Sequence, residues 1–496
     1  MKQDYIKELL SQAKAAGVEA AEAYLSESES FSAMRNNGAL EDYQSNHTRG
    51  LGFRGLVNGR MGYASTEALD DESIGQLIRG VIESATLCES KDEQPLYQGG
   101  GQLPEVALYN PELDNVSPEA KLAKIEAMEN QCKATDARYL NGYNMIDTTK
   151  HTVRIANSYG MDQTYTESFC QLYCGANVKE NDCVSTGGFA QISRDFDALD
   201  PIALGRDSVE QAVKGLNAEP VASGKYRVIF WNEALVSLLG VFNTIFSAET
   251  EQMGLSLLSG KLGETIAAPC VTLVDDPLRA DCVGSRPFDD EGVPSHQHML
   301  VENGVFRTFL HNLKTAKKAG VQSTGNGSKA DYSSPVRVAP SNLYFEPGVL
   351  SFDELLRQVG DGVVITEVSG LHAGANPVSG DFSLLSKGYT IKDGQRDQPL
   401  ERITVAEIDS IAELYLAEVT YEAVPETIPS PDGAYCGYGI AAVHQGKRHK
   451  VRLSLMRDVT TNRPLAETIA RTLTENRVPY DQFRYIARDL AVENFV

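Results

Sequence analysis

Apolar residues recur at helical spacing across Asp4–Ala16. Tyr5, Ile6, Leu9, Leu10 and Ala13 form one stripe, and Gly17 stands where a helix C-cap belongs. The period then changes to two. AEAYLSESESFSAMRNNGALEDYQ alternates between turn residues, and RGLGFRGLVNGRMGYAST (Arg49–Thr66) reads as two strands joined at Val57-Asn58-Gly59-Arg60. Asn-Gly readily takes the positive φ angles of a two-residue hairpin, so the junction is a strong turn signal. Helical spacing returns over Ser73–Leu87 and Pro118–Lys133, and strand-like alternation runs from Tyr139 to Ile192. The short turns favour antiparallel pairing, which makes this half α+β. A further helix is predicted near Arg206–Leu216.

The Pro-, Gly- and Ser-containing stretch NAEPVASGK (Asn217–Lys225) is the best domain boundary. Beyond it, closely spaced turn signals punctuate VTLVDDP, MLVENGVFRTFLHN, STGNGSKADY and SGLHAGANPVSGDFSLLSKGYTIKDGQ. That rhythm predicts a strand-rich, barrel- or sandwich-like domain. The expected organisation is an N-terminal α+β domain with an antiparallel sheet over 1–220, a β-rich domain over 221–420, and a tail over 421–496. In the tail, PLAETIARTLTENR and YDQFRYIARDLAVENF read as two short amphipathic helices.

Bulk properties narrow the function classes. A chain of 496 residues is too long for one ordinary core. Acids outnumber bases 68 to 45, giving a net charge of −23, which repels phosphate backbones. The one dense basic cluster, GKRHKVR (Gly446–Arg452), is too short to overturn that, so no nucleic-acid partner is expected. No apolar run approaches the roughly 20 residues of a membrane helix, and the N-terminus lacks a secretory apolar core. Eight cysteines in so long a chain are no disulfide framework, so a cytoplasmic location is expected.

Several stretches carry candidate chemistry. YRVIFW (Tyr226–Trp231) runs straight into the apolar helix WNEALVSLLG, where Asn232 and Glu233 open the helix and Ser237 lies one turn on. Asn232 suits an N-cap and Glu233 a first-turn acid favoured by the helix dipole, with a catalytic role for Glu233 as the competing reading. FDDEGVPSHQH (Phe288–His298) gathers Asp289, Asp290, Glu291, His296 and His298. Residues two apart on a strand share a face, so both imidazoles could meet one ion; an acid-rich turn followed by a solvated strand is the alternative. Cys170 and Cys174 lie four apart with Cys183 nearby, a weak zinc pattern better read as half-buried thiols. His372 lies in a Gly-rich loop as a turn residue or a contact to peptide or partner, and Asp381 is expected to organise the turn after it.

RGLGFRGLVNGRMGYAST, DDEGVPSHQHMLVENGVF (Asp289–Phe306), STGNG (Ser323–Gly327) and GANPVSGDFSLLSKGYTIKDG (Gly374–Gly394) resemble the TldD/PmbA family, in order and over most of the chain to about Ala406. The resemblance implies a protease system, named also for modulation of DNA gyrase. TldD-like chains carry a metal-holding H-E-x-x-x-H on the helix after the buried strand, and PmbA/TldE-like chains lack it. The matching positions here are Asn232, Glu233 and Ser237, which places this chain with the PmbA/TldE kind. Zinc sites use imidazole, thiolate or carboxylate ligands, and Asn and Ser are poor substitutes. Positions five apart also lie about 140° apart on an ideal helix. An ordinary helix is therefore expected, with Leu235, Leu238, Leu239 and Phe242 turned inward.

The resemblance thus implies a non-catalytic subunit that binds no cofactor itself, with zinc in a TldD-like partner, acting together on unfolded peptides and peptide precursors. Self-pairing in the partner's absence stays open. His372, Asp289, Asp290 and Asp381 are its candidate peptide or partner contacts. Cys436 invites comparison with a C-terminal metal-ligating cysteine of TldD-like chains, but the surrounding tail departs from the family pattern. A stand-alone metallopeptidase with an unorthodox site and a gyrase-binding modulator are the competing readings.

Overall fold

The computed structural model describes residues 4–89, 92–406, 419–428, 435–445, 450–460 and 463–475. The chain opens with α1 (Tyr5–Ala15), which buries Ile6, Leu9 and Ala13, and Gly17 takes φ +90° just past its end. Three strands follow: β1 (Ala20–Asn36), β2 (Ala39–Val57) and β3 (Arg60–Thr66). Asn58 and Gly59 join β2 to β3 with φ of 50° and 73°, the hairpin geometry that the Asn-Gly pair predicts.

Helix α2 (Asp71–Leu87) starts two residues before the expected Ser73 because Asp70 caps it, accepting from Ser73 N at 2.9 Å. Helix α3 (Pro118–Thr135) is capped by Ser117, with proline in its first turn. Strands β4 (Tyr139–Asn157), β5 (Asp162–Glu180) and β6 (Cys183–Ser193) fill the predicted alternating region. Helix α4 (Pro201–Lys214) begins five residues before the expected Arg206, since the Asp200 carboxylate accepts from Ile202 N and Ala203 N at 3.0 Å.

These strands form one antiparallel sheet in the order β3-β2-β1-β4-β5-β6. Ala21, Ala23, Phe31 and Ala33 of β1 share a face by the two-residue period. The first two pack with α1 and α2 against Leu51 and Phe53, the last two with α3 and α4 against Ile146 and Leu172. Both helix pairs therefore cover one side of the sheet, and Glu22 and Tyr24 belong to the other.

The strand-rich region begins with β7 (Val228–Phe230), α5 (Asn232–Phe242) and α6 (Ala248–Gln252). Strands β8 (Leu273–Asp275), β9 (His298–Glu302) and β10 (Val305–Phe306) come next, then α7 (Leu313–Ala319), β11 (Gly327–Ser328), β12 (Arg337–Val338) and β13 (Leu343–Phe345). Helix α8 (Phe352–Val359), β14 (Gly362–Ser369), α9 (Leu371–Gly374), β15 (Ser383–Lys392) and β16 (Gln395–Ala406) complete it. The strands make two four-stranded sheets, β10-β9-β8-β13 and β16-β15-β14-β7, and a small β11-β12 pair. The β7–β14 pairing is parallel. One core gathers Phe246, Leu258, Leu300, Phe306 and Leu310; another sets α8 on Ile229, Val364 and Ile391.

The chain divides into two compact units, Met1–Gly380 with Leu384–Thr404, and Asp381–Ser383 with Val405–Val496. The second unit contains a three-stranded antiparallel sheet that the sequence reading did not place: β17 (Val419–Ile428), β18 (Tyr435–Gln445) and β19 (Lys450–Thr460). The first of the two expected tail helices is present as Arg463–Glu475, with Ala466, Ile469, Ala470 and Leu473 buried at helical spacing. The second, over 480–495, lies outside the described residues, as do 446–449 of the basic cluster.

Candidate functional site

The head of α5 carries the residues that prompted a metal comparison. Trp231 N donates to Ile365 O of β14 at 2.8 Å, and Leu235 N donates to Trp231 O at 2.9 Å. Trp231 thereby ends the strand and starts the helix with its own backbone, while its ring packs edge-on against Phe352 at 4.9 Å between centroids. This corrects the expected N-cap: Asn232 is the first helical residue, and Trp231 occupies the cap position without a side-chain bond. Glu233 is an exposed first-turn acid. Ser237 Oγ donates to Glu233 O at 2.9 Å, so the hydroxyl serves the helix backbone. An amide, a hydroxyl bonded to its own helix and one carboxylate do not fit a zinc ion. Of the four residues expected inward, only Leu238 is buried, together with Ala234; Leu235, Leu239 and Phe242 are half-buried.

His372 lies exposed on α9, which packs beside α5. The turn that follows is closed by Asn376, whose Oδ1 accepts from Val378 N and whose carbonyl accepts from Gly380 N, both at 2.9 Å. Asp381 is exposed and opens the second unit.

The DDEG segment forms a buried turn, the structural alternative of the two readings. Asp289 Oδ1 accepts from Glu291 N and Val293 N at 2.9 Å, and its Oδ2 accepts from Gly327 N at 2.7 Å. Asp290 Oδ2 accepts from Lys329 N at 2.8 Å and pairs with Arg286 at 3.2 Å, while Oδ1 accepts from Tyr24 OH at 3.1 Å. Glu291 Oε2 accepts from Leu313 N at 2.7 Å, and Oε1 accepts from Arg54 at 3.2 Å. Arg54 also pairs with Glu22 at 2.7 Å. Asp289 and Asp290, expected at a peptide or partner contact, thus spend their oxygens inside the protein and are 0% and 6% exposed.

Two sequence motifs fit against this cluster because their glycines have no side chain. A Cβ on Gly52 would lie 1.9 Å from Tyr332 O, and one on Gly327 would lie 2.9 Å from Asp289 Oδ2. RGLGFRG, DDEG and the end of STGNG therefore meet in one clasp between the first sheet and the strand-rich region. Four carboxyls (Glu22, Asp289, Asp290, Glu291) face three cations (Arg54, Arg286, Lys329). Burial, then the neighbouring Glu291 charge, pushes Asp289 up to about 7. Burial also raises Glu22, against the pull of Arg54. Burial, then the nearby Arg54, lowers Lys329 to about 8.

The two candidate imidazoles part company. His298 starts β9 and its Nε2 bonds to Thr324 O at 2.7 Å, with its pKa lowered chiefly by burial. His296 is exposed at an open cleft of about 520 Å3, lined also by Tyr97, Pro294, Leu313 and Val321. Cys170 and Cys174 share a face of β5 and are fully buried rather than half-buried; Cys174 Sγ lies 3.4 Å from Cys132 Sγ of α3. Among the described residues no group of three or more His, Cys, Asp or Glu side chains is arranged to hold a metal ion. The side chain of Cys436 lies outside them.

Residues 21–85 match the family description PmbA/TldA metallopeptidase domain 1, 111–216 the central domain and 223–415 the C-terminal domain. A Thermotoga maritima crystal structure named for modulation of a DNA gyrase superposes with TM-score 0.76 at 32% identity, covering 81% of this chain and 91% of that one. The chain belongs to the PmbA/TldD family. A Haemophilus influenzae metalloprotease PmbA homolog is 27% identical over 374 residues, 74% of this chain and 80% of its own length. The fold is also that of TldE from Thermococcus kodakarensis, with TM-score 0.74 at 22% identity, covering 91% of this chain and 100% of that one.

In PmbA/TldD terms, the clasp joins domain 1, through Glu22, Tyr24 and Arg54, to the C-terminal domain, through Arg286–Glu291 and Gly327–Lys329. These partners of DDEG were missed from the sequence. A signal was present: Gly50, Gly52 and Arg54 share one strand face, and alternate glycines mark a close approach of backbone. No helix among the described residues is long and apolar enough to cross a membrane.

Proposed function

We propose that this chain is the PmbA/TldE-like, non-catalytic subunit of a two-component peptidase that degrades or trims unfolded peptides and peptide precursors. The observation that carries the proposal is the donor set at the head of α5: Asn232, Glu233 and a Ser237 hydroxyl already bonded to its own helix. Zinc belongs to a TldD-like partner in this reading, and the pair works in the cytoplasm. This chain supplies walls and sheet edges. Edge pairing binds extended backbone without reading sequence, which suits unfolded substrates.

The test uses the full chain, purified alone and mixed with a TldD-like chain from the same genome. The expected result is no stoichiometric zinc and no peptide hydrolysis alone, with hydrolysis in the mixture exceeding that of the partner by itself. Stoichiometric zinc with hydrolysis by the lone chain would overturn the proposal in favour of a stand-alone enzyme. Co-purification with gyrase in place of a TldD-like chain would favour a modulator.

A further inference from the structure

Among the described residues three cysteines are fully buried on the helix-covered side of the first sheet: Cys132 on α3, and Cys170 and Cys174 on β5. Cys170 donates its thiol to Ser193 O of β6 at 3.2 Å, four residues and about 13 Å along the strand from Cys174. Cys132 and Cys174, 42 residues apart in the chain, meet each other, with their Sγ atoms 3.4 Å apart. Asn144 Oδ1 of β4 lies within reach of both thiols, at 3.9 and 3.7 Å. Gly205 of α4 closes the other side of Cys132: its carbonyl accepts from the thiol at 3.6 Å, and a Cβ on it would approach the sulfur to 3.3 Å. Cys174 is held below the usual thiol range chiefly by the hydrogen bond from Cys132; the same bond, with burial, raises Cys132. A sulfur favoured as thiolate, the nucleophilic form, thus lies directly beside a thiol.

We propose that Cys132 and Cys174 form a reversible redox site, which a small peroxide converts to a disulfide and a small dithiol reduces. The Cys174 thiolate attacks one peroxide oxygen, breaking the O–O bond and giving a sulfenic acid and hydroxide. Cys132 then attacks the oxidised sulfur, and its proton leaves with the hydroxyl as water. Counting the proton that Cys174 gave up, two thiols lose two electrons and two protons, and one peroxide becomes two waters. The sulfurs close by about 1.4 Å to reach a disulfide bond length, a movement that side-chain rotation supplies. Peroxide is scarcely larger than water and enters when the end of α3 opens locally. The product ties α3 to β5. One turn before Cys132, Glu129 accepts from Gly38 N in the β1–β2 turn and pairs with Arg35 at 3.2 Å. Oxidation therefore also firms the hold of α3 on that turn. Transient, sensing disulfides are the kind that a reducing compartment permits. The inference stands on the thiol pair and does not require the peptidase reading.

The experiment treats the fully reduced full chain with hydrogen peroxide, maps disulfides in a non-reducing digest by mass spectrometry, and follows amide hydrogen exchange on the same samples. The expected product is a Cys132–Cys174 cross-link that dithiothreitol reverses without unfolding the chain. On oxidation, exchange in the last turn of α3 is expected to slow about tenfold and at Gly38 about threefold. Cys132→Ala and Cys174→Ala are each expected to abolish both changes; the wild-type map decides the pairing even if a variant fails to fold. The proposal is overturned if no cross-link forms while the exposed Cys270 is oxidised, or if either cysteine pairs with Cys170 or Cys183 instead. A cross-link that forms only in denaturant, or one that leaves exchange at α3 or Gly38 unchanged, would overturn it as well.

Discussion

Replacing Arg54 by methionine tests whether the clasp is held by charge. Its side chain is 5% exposed, and its partners Glu22 and Glu291 are 1% and 3% exposed. Removing one partner of a buried pair costs about 3–5 kcal/mol, because the charge left behind has neither water nor a counter-ion. The alternative for each glutamate is to take up a proton. At pH 7 that costs about 3.7 kcal/mol, the gap from about 4.3 at 1.36 kcal/mol per unit. Two carboxyls thus limit the loss to roughly 7 kcal/mol, and about 4 kcal/mol is expected, since four acids already face three cations in the cluster. At pH 5 protonation costs only about 1 kcal/mol per carboxyl, so the penalty should shrink by more than half. Hydrogen exchange of the β1 and β2 core amides in increasing urea reads this local stability without assuming one global transition. Glu22→Gln combined with Arg54→Met should recover part of the loss at pH 7. A penalty below about 1 kcal/mol, or one equal at pH 5 and pH 7, would refute the charge argument.

Gly52→Ala places a Cβ 1.9 Å from Tyr332 O, so backbone must shift, and a loss of about 3 kcal/mol is expected in the same exchange measurement. Gly240→Ala does the reverse: it lies within α5 with no atom within 4 Å of the added carbon, so helix propensity should raise the stability of that region by about 0.5–1 kcal/mol. Asp70→Ala removes the α2 cap and should cost about 1 kcal/mol in exchange protection of its first turn. Asp289 is raised from 3.8 to about 7, so between those values the folded chain holds a proton that the unfolded chain has released. Its contribution is therefore fully present below pH 4 and is lost as pH rises through 7; clasp stability compared at pH 5 and 7.5 should be higher at pH 5, and Asp289→Asn should flatten that difference.

Local rules made much of the first half legible. Asn58-Gly59 fixed a hairpin, and the helical spacing from Pro118 placed a helix whose start the structure keeps, because each signal acts within a few residues. Where local reading slipped, a side chain or a neighbouring strand had taken the decision. Asp70 and Asp200 moved two helix starts upstream, and the bond from Trp231 N to Ile365 O displaced Asn232 from its cap, although Ile365 lies more than 130 residues away. The clasp is the extreme case of that non-local control. DDEG reads as a ligand-rich stretch because sequence shows four charged or flexible residues together and hides Arg54, Tyr24 and Gly327, which consume their oxygens. Burial then changes the meaning of the acids: with every Asp289 oxygen accepting backbone N–H bonds, the same carboxylate that could have gripped a cation instead orders a turn. The residues at the head of α5 invert the comparison. Their side chains meet few partners, so what they can bind depends on residue type alone, and there the reading from sequence and the geometry rest on one chemical fact, that Asn and Ser offer a divalent metal little.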